Sequence, residues 1–147
     1  MNEVFIEGPI ERVFDLVTTT RYWTEWHPAT IGVEGAVDRP IALGDTIRER
    51  ARIGQRVYEG DWHVIEHARP TRVLLRGETG RIEIGYTFKQ DGTTTLFRRE
   101  LEYEADDFRD SIADPVRLEE LMHAQSQAAL AKLKQLVESL LSERVPD

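Results

Sequence analysis

Residues 30–105 alternate apolar and polar side chains with a period of two, and this feature constrains the fold more than any other. Such alternation is typical of β-strands that bury one face. Asp-Gly pairs and pairs that begin with glycine favour the two-residue loops of β-hairpins. The stretch therefore predicts consecutive antiparallel strands. Three of its turns are predicted at Gly54-Gln55, Thr79-Gly80 and Asp91-Gly92.

Seven strands are predicted in all, six from this stretch and one from the segment EVFIE near the start of the chain. Turn residues separate them, and proline is excluded from their centres. The predicted strands are residues 3–7, 30–37, 44–53, 56–67, 71–78, 81–89 and 94–104.

The turns also fix the register, and the register decides which side chains share a face. A loop at Gly54-Gln55 places Arg48 opposite Asp61 on one face and Ile47 opposite Trp62 on the other. The same logic predicts a sheet with one apolar face and one charged face. The other predicted pairs are Ala51–Tyr58, Arg50–Glu59, Arg76–Glu83, Leu75–Ile84, Tyr86–Phe97, Ile82–Leu101, Ile84–Arg99 and the like-charged Glu83–Glu100.

Helical periodicity lies at the two ends of the chain. Gly8-Pro9 opens a first short helix, where the missing N–H of proline is tolerated. A second short helix is predicted over residues 20–26 and ends before Pro28. Asp114-Pro115 begins a long helix over residues 115–142. Its apolar stripe consists of Leu118, Leu121, Met122, Ala129, Leu133, Leu136, Val137 and Leu140.

This order of elements resembles the helix-grip proteins of the SRPBCC or START-like superfamily, which includes polyketide cyclases, lipid-transfer domains and plant pathogenesis-related allergens. The resemblance is carried by GPIERVFDLVTTTRYWTEWHP, by GDWHVIEHARPTRVLL and by the closing helix. It is nearest to the polyketide cyclase/dehydrase branch. It implies a single α+β domain over residues 1–147, with a curved seven-stranded antiparallel sheet wrapped around the long C-terminal helix and two short helices after strand 1. These motifs mark a fold, so they carry over no catalytic residue.

The resemblance also implies a cavity between the sheet and the long helix, closed at one end by the two short helices. Trp23 and Trp26 would then form a lid, either as lining residues or as ordinary core aromatics. Small residues in AQSQAALA, 124–131, leave room beneath the helix. Gly60 and Gly77 predict bare sheet surface or a bend in the sheet.

Polar side chains on the predicted inward face indicate where a ligand would be recognised. Glu49 and Arg99 both lie there, four strand spacings or roughly 19 Å apart. We therefore expect two separate polar spots in an apolar pocket, and these two residues are the catalytic candidates if the protein is an enzyme. The predicted ligand-binding residues are Trp23, Trp26, Glu49, Tyr58, Trp62, Tyr86, Phe97, Arg99, Tyr103, Met122 and Gln125.

Metal and cofactor signals are weak in this sequence. His63 and His67 are four apart, which on a strand is about 13 Å, too far to share a metal ion. The chain carries neither a glycine-rich phosphate loop nor a nucleophile elbow. His27 lies near the proposed mouth, where a surface or capping role is a simpler interpretation than acid–base chemistry. We expect no metal and no cofactor.

Composition disfavours several other classes. A chain of 147 residues suits one domain, and its formal net charge of −8 argues against nucleic-acid binding. No apolar run reaches the roughly 20 residues of a membrane span. The segment MNEVFIEGPIERVF lacks the pattern of a signal peptide, and cysteine is absent. A cytoplasmic protein is expected.

Three functions stay open at this point. The first is binding of a small hydrophobic molecule, such as a polyketide, lipid, quinone or aromatic metabolite. The second is a cofactor-independent cyclase or dehydratase acting in the same cavity. The third is a co-chaperone-like interaction module, which the charged outer face of the sheet disfavours because it needs an exposed apolar patch. The choice between monomer and homodimer is also open.

Overall fold

The computed structural model describes residues 2–143, which form a single sheet, three α-helices and two short 3₁₀ turns. Met1 and residues 144–147 lie outside it, so the single domain over residues 1–147 stays a prediction. The strands are β1 (Asn2–Glu7), β2 (Thr30–Gly35), β3 (Thr46–Ile53), β4 (Arg56–Ala68), β5 (Arg72–Gly77), β6 (Glu83–Asp91) and β7 (Thr94–Glu102). The helices are α1 (Ile10–Val17), α2 (Trp23–Trp26) and α3 (Pro115–Ser142), and the 3₁₀ turns are Thr20–Tyr22 and Ala105–Phe108.

The seven strands form one antiparallel sheet in the order β1-β7-β6-β5-β4-β3-β2. Strands β2 to β7 are sequential neighbours, and β1 closes the sheet against β7. The sheet curls around α3, with the two short helices following β1. The predicted α+β helix-grip architecture is therefore confirmed.

Two of the three predicted hairpin registers are confirmed. Between β3 and β4, Arg48 lies opposite Asp61 and Ile47 lies opposite Trp62. Between β5 and β6, Leu75 lies opposite Ile84, and the other register partners meet as predicted. Because the side-chain period is two, these registers direct the apolar residues of four strands toward α3.

The third register is wrong by two residues. Asp91 pairs with Thr94, so the loop is Gly92-Thr93 and not Asp91-Gly92. Gly92 adopts a left-handed φ of 61°, and the side-chain amide of Gln90 donates to the carbonyls of Gly92 and Thr94. A shift of two keeps each side chain on its predicted face but changes its partner. The pairs are Tyr86–Arg99, Ile84–Leu101, Phe88–Phe97 and Glu83–Glu102.

The long helix α3 begins where the sequence predicts. The Asp114 carboxylate accepts a hydrogen bond of 3.0 Å from the backbone N–H of Val116, and Pro115 occupies the first turn. Its buried stripe consists of Leu118, Met122, Ser126, Ala129, Leu130, Leu133 and Val137.

The two halves of α3 pack against different parts of the core. Ala129, Leu130, Leu133 and Val137 join the main cluster with α1 and the sheet, whereas Leu118 and Met122 join a smaller cluster around Phe108. The hollow in the fold lies beside Met122 and Ser126, where these clusters meet. Within residues 2–143, no helix combines the length and apolar character needed to cross a membrane.

Candidate functional site

A cavity of about 380 Å³ lies between the sheet, α2 and the N-terminal half of α3. Small-molecule sites are concave, mostly apolar and of this general size. The 3₁₀ turn Ala105–Phe108 closes one side with Phe108, a contribution that the sequence did not suggest. The apolar walls are formed by Trp23, Trp26, Ala29, Ala51, Ile53, Tyr58, Trp62, Ile82, Ile84, Tyr86, Leu101, Phe108 and Met122.

The lid residues Trp23 and Trp26 line the cavity and belong to the main core cluster at the same time. Both are buried, with 3% and 1% of their surface exposed. The two sequence interpretations, lining and core, are therefore compatible. Both indoles belong to the short helix α2, which begins at Trp23 and ends at Trp26, shortly before β2.

Most of the predicted ligand-binding residues lie in this cavity wall. They are Trp23, Trp26, Glu49, Tyr58, Trp62, Tyr86, Arg99, Met122 and Gln125. Phe97 is not among the lining residues, because the two-residue register shift places it opposite Phe88 in the core. Its ring lies 5.0 Å from the Phe88 ring and 5.2 Å from the Tyr86 ring.

Tyr103 lies outside the main cavity as well and lines a second one of about 410 Å³. Its ring packs edge-on against Phe108, with centroids 5.8 Å apart. Asn2, Glu119 and His123 form part of the same wall. Four residues border both cavities and so form the partition between them: Arg99, Leu101, Met122 and Ser126.

Arg99 is the most deeply buried charged residue of the site, with 4% of its surface exposed. Its Nη1 donates a hydrogen bond of 2.6 Å to Oγ of Ser126 on α3. Its Nη2 lies 3.1 Å from Nε2 of His27, at the end of α2. Burying a guanidinium costs less free energy where its N–H groups find acceptors. His27, just after α2, and Ser126 on α3 each provide one, whereas Nε of Arg99 is buried with no partner within residues 2–143.

These contacts fix the tautomer of His27. A guanidinium has donors only, so Nε2 of His27 must accept and Nδ1 must carry the proton. Nδ1 lies 3.0 Å from Oγ1 of Thr30 and donates to it. The Thr30 hydroxyl in turn donates to Oε2 of Glu49, whose Oε1 accepts a 2.9 Å bond from the indole N–H of Trp62.

The result is a directed series of hydrogen bonds from Arg99 through His27 and Thr30 to Glu49, here called the polar chain. The expectation of two separate polar spots is wrong. The strand spacing between Glu49 and Arg99 was the wrong measure, because the segment from α2 to β2 crosses the cavity end and bridges them. The expectation for His27 is correct only in part. Its backbone N–H caps α2 by donating to the Trp23 carbonyl, but its ring is not a surface group, since it joins Arg99 to Thr30.

Burial shifts the pKa values of residues in and beside the polar chain. It lowers the pKa of His27 to about 3, with the nearby positive charge of Arg99 as a second cause. Burial raises the pKa of Glu49, against the opposing effects of the Thr30 and Trp62 hydrogen bonds and of Arg99. It also raises the pKa of Tyr86 to about 12. At neutral pH the imidazole is therefore neutral, and the Glu49 carboxyl holds its proton more readily than an exposed one.

The sequence as a whole matches one protein family. The model of the family described as polyketide cyclase / dehydrase and lipid transport matches residues 2–138, almost the entire chain. The chain belongs to this family. The predicted resemblance to the polyketide cyclase/dehydrase branch is thus confirmed. A search of the curated proteins found no significant match.

Solved structures of low sequence identity share the fold of this polyketide cyclase/dehydrase family member. A START superfamily protein from Mycobacterium smegmatis has a TM-score of 0.72 at 16% identity, over 95% of this chain and 96% of that one. The polyketide-cyclase-like protein Cgl2372 from Corynebacterium glutamicum has a TM-score of 0.59 at 19% identity, over 99% and 94%. The di-domain ARO/CYC BexL of the BE-7585A biosynthetic pathway has a TM-score of 0.65 at 18% identity, over 93% of this chain and 48% of its own.

Gly60 and Gly77 of this family member line the cavity, as expected, but neighbouring side chains cover part of the surface that they leave. A Cβ on Gly77 would clash with Cγ2 of Ile82, so that side chain already covers the position. A Cβ on Gly60, which pairs with Glu49, would lie 3.1 Å from Oε1 of Glu78. The Glu78 carboxylate therefore packs over the inward face of Gly60.

Several lining residues of this family member had no strong sequence signal. The sequence does not distinguish Thr30 and Ser126 from other small polar residues, because the function of a hydroxyl depends on its hydrogen-bond partners, which come from distant segments. Among the acidic lining residues, Glu78 and Asp107 come from turns, whose orientation the alternation does not determine. Glu59 and Asp61 lie within β4 and pair with Arg50 and Arg48 on the predicted charged face. Within residues 2–143, no group of three or more His, Asp or Glu side chains is arranged to hold a metal ion.

Proposed function

We propose that the protein binds a small hydrophobic molecule, such as a polyketide, lipid or aromatic metabolite, in the cavity between the sheet and α3. The observation that carries this proposal is the cavity itself, about 380 Å³ with mostly aromatic and aliphatic walls. The polar chain lies at one end of it, which suits a ligand with an apolar body and a few oxygen atoms.

Occupancy of the cavity is tested directly by native mass spectrometry of the purified protein, followed by thermal shift with a panel of aromatic and aliphatic compounds. Ala51→Phe fills the cavity from β3, where Ala51 lines its wall. Ala128→Phe is the matched control, because Ala128 is exposed on α3. The proposal expects ligand-induced stabilisation in the native protein and in Ala128→Phe, and its loss in Ala51→Phe. Equal stabilisation of both variants would place the ligand elsewhere.

A second candidate function is a cofactor-independent cyclase or dehydratase in the same cavity. The observation that favours it is the combination of Glu49, whose pKa is raised, with the buried guanidinium of Arg99 at the same cavity end. Glu49 would remove a proton from the carbon beside a carbonyl, and Arg99 would donate a hydrogen bond to the resulting enolate oxygen. The walls would hold a poly-carbonyl chain folded so that the enolate carbon meets a second carbonyl.

Turnover distinguishes this alternative from simple binding. Glu49→Gln and Arg99→Ala should abolish product formation from a poly-β-ketone substrate while the variants still fold. Glu100→Gln and Arg98→Ala are the controls, because both side chains lie on the outer face of β7. Full activity in Glu49→Gln and Arg99→Ala would rule out these roles, and ligand binding without any product would favour the first proposal.

An interaction module has less support. The large exposed apolar residues are distributed over five different segments: Phe5, Ile31, Leu43, Val57 and Val116. A protein-binding surface needs such residues in one contiguous patch.

A further inference from the structure

We infer that the cavity selects uncharged, oxygen-bearing aromatic molecules and rejects the corresponding carboxylates. This inference rests on the proposed binding function and narrows its ligand class. It follows from the balance of charge inside the cavity and from the charge around its mouth.

Inside the cavity, the Glu49 carboxylate balances the one positive charge, because both of its oxygens accept hydrogen bonds, one from Thr30 and one from Trp62, and these favour the ionised form. Arg99 is joined to Glu49 through the polar chain, and its charge acts on the carboxyl of Glu49. His27 is neutral because burial and Arg99 hold its pKa near 3. A bound carboxylate would therefore add an unbalanced negative charge to a buried space, which is strongly unfavourable.

The lining is acidic apart from this pair. Among the described residues that line the cavity there are five carboxylates and a single guanidinium, that of Arg99. The carboxylates beyond Glu49 are those of Glu59, Asp61, Glu78 and Asp107. Glu59 and Asp61 face outward from β4, and Glu78 and Asp107 are exposed residues of turns, so this acidic set lies around the mouth of the cavity and not in its interior.

Arginines near the mouth balance only part of this charge. Arg48 pairs with Asp61 at 3.0 Å and with Glu59 at 3.6 Å, and Arg81 pairs with Asp107 at 3.0 Å, but neither arginine lines the cavity. Glu78 forms no ion pair within residues 2–143, although the charge of Arg48 acts on it, and its carboxylate packs against the inner face of Gly60. An entering anion therefore meets net negative charge, an effect that extends about 8 Å at physiological salt.

An uncharged ketone or phenol avoids both penalties. Its oxygen can accept a hydrogen bond from Arg99, because the contacts with Ser126 and His27 use two of the five guanidinium N–H groups. Its rings can pack against Trp62, Tyr86 and the lid indoles.

The test compares acetylnaphthalene with naphthoate, two probes that share a ring system and differ in charge. Dissociation constants are measured by isothermal titration calorimetry at neutral pH, at low and at high salt. We expect acetylnaphthalene to bind at least about tenfold more tightly, which corresponds to the 1.4 kcal/mol of one decade. Salt should strengthen naphthoate binding and leave acetylnaphthalene binding unchanged, because screening weakens repulsion at the mouth.

A pair of double variants assigns the effect to the mouth. Glu59→Gln with Glu78→Gln removes two exposed acidic groups and should narrow the difference between the probes by improving naphthoate binding. Glu100→Gln with Glu102→Gln removes two exposed carboxylates of β7 that do not line the cavity, and should leave the difference unchanged.

The outcomes separate this inference from the proposed function. Naphthoate binding as tight as acetylnaphthalene binding would overturn the charge selection while leaving the cavity as a ligand site. An unchanged difference in the Glu59/Glu78 double variant would overturn the role of the mouth. Failure of both probes, together with failure of a neutral panel, would overturn the proposed function and the inference with it.

Discussion

Arg99 on β7 and Glu49 on β3 belong to strands that three others separate, yet His27 and Thr30 join them by an unbroken series of hydrogen bonds. The curled sheet brings its two ends toward each other, and the α2–β2 segment spans the gap between them. Each donor has one acceptor along the series, so the tautomer of His27 and the ionised form of Glu49 support each other. A substitution of one residue of the polar chain should therefore change the pKa values or the hydrogen bonds of the others.

The first prediction concerns His27 and acid stability. Its pKa is about 3 in the folded protein, against about 6.5 in an unfolded chain. Between these values the unfolded chain binds more protons, so the free energy of unfolding rises with pH. The stabilising contribution is complete above about pH 6.5 and is lost as the pH falls toward 3, by at most about 1.4 kcal/mol per pH unit.

Urea unfolding of the native protein and of His27→Gln between pH 4 and 7 measures this contribution. The variant should show a smaller loss of stability toward low pH, because it cannot take up that proton. His63→Gln, at an exposed position of β4, makes the same chemical change outside the polar chain and is the matched control. Identical slopes in the native protein and in His27→Gln would show that His27 is not the group responsible.

The second prediction concerns the charge of Arg99. Arg99→Met removes the positive charge beside His27 while keeping an apolar chain in the wall. The pKa of His27 should rise, because Arg99 is the second cause of its depression, but should stay below the ordinary value, because burial is the larger cause. NMR titration of the imidazole C–H signals, assigned with His27→Gln, gives the value directly.

Arg98→Met is the matched control for that experiment. Arg98 is the outward-facing neighbour and pairs with Glu3 at 3.0 Å on the other face of the sheet. It should leave the His27 titration unchanged. If Arg99→Met also left it unchanged, burial alone would account for the low pKa, and the electrostatic link between the two residues would be absent.

The faces of the strands followed from the sequence, whereas the partners of the polar residues did not. Alternation with period two placed Glu49, Tyr86 and Arg99 on the inward face, and this survived even the two-residue error in the β6–β7 register. The register error changed the predicted cross-strand partner of Tyr86, which is Arg99 and not Phe97. Local turn chemistry near Gly92 decides that register, and the Asp91-Gly92 pair pointed to the wrong loop.

The polar chain was beyond sequence reasoning for a different reason. His27 and Thr30 come from the connection between α2 and β2, and no periodicity governs the direction of side chains in a connection. Ser126 lies on the apolar stripe of α3, where the sequence alone indicates only a small side chain that leaves space. Its role as a hydrogen-bond acceptor depends on Arg99, which comes from a distant strand. Patterns of burial are encoded locally, whereas hydrogen-bond partners depend on how distant segments meet.

The third prediction concerns the partition between the two cavities. Ser126→Ala removes the acceptor of the 2.6 Å bond from Arg99 and leaves a buried N–H of a charged group unpaired. We expect a loss of about 1–3 kcal/mol in the free energy of unfolding, measured by urea unfolding. Ser139→Ala, at an exposed position of the same helix, makes the same chemical change without that contact. It should be neutral or slightly stabilising, because alanine favours helices, and an equal loss in both variants would contradict the role of Ser126.

The fourth prediction uses the tryptophans as matched probes of Glu49. The indole N–H of Trp62 donates to Oε1 of Glu49, whereas the indole N–H of Trp23 is buried with no partner within residues 2–143. Trp62→Phe and Trp23→Phe therefore remove similar volume from the same cavity wall, but only the first removes a hydrogen bond to the carboxylate. Trp62→Phe should cost about 1.5–3 kcal/mol more than Trp23→Phe at neutral pH, in the range of a hydrogen bond to a charged group.

The same substitution should shift the titration of Glu49. Loss of the Trp62 donor removes one of the effects that oppose burial, so the pKa of Glu49 should rise further. A carboxyl with a raised folded pKa stabilises the protein below its unfolded pKa and loses that contribution as pH rises through the folded value. Trp62→Phe should therefore lose stability relative to Trp23→Phe as the pH rises through the folded-state pKa that Glu49 has in Trp23→Phe, and ¹³C NMR of the glutamate carboxyls should report the higher midpoint. A Glu49 titration that is the same in both variants would show that Trp62 does not stabilise the charged form.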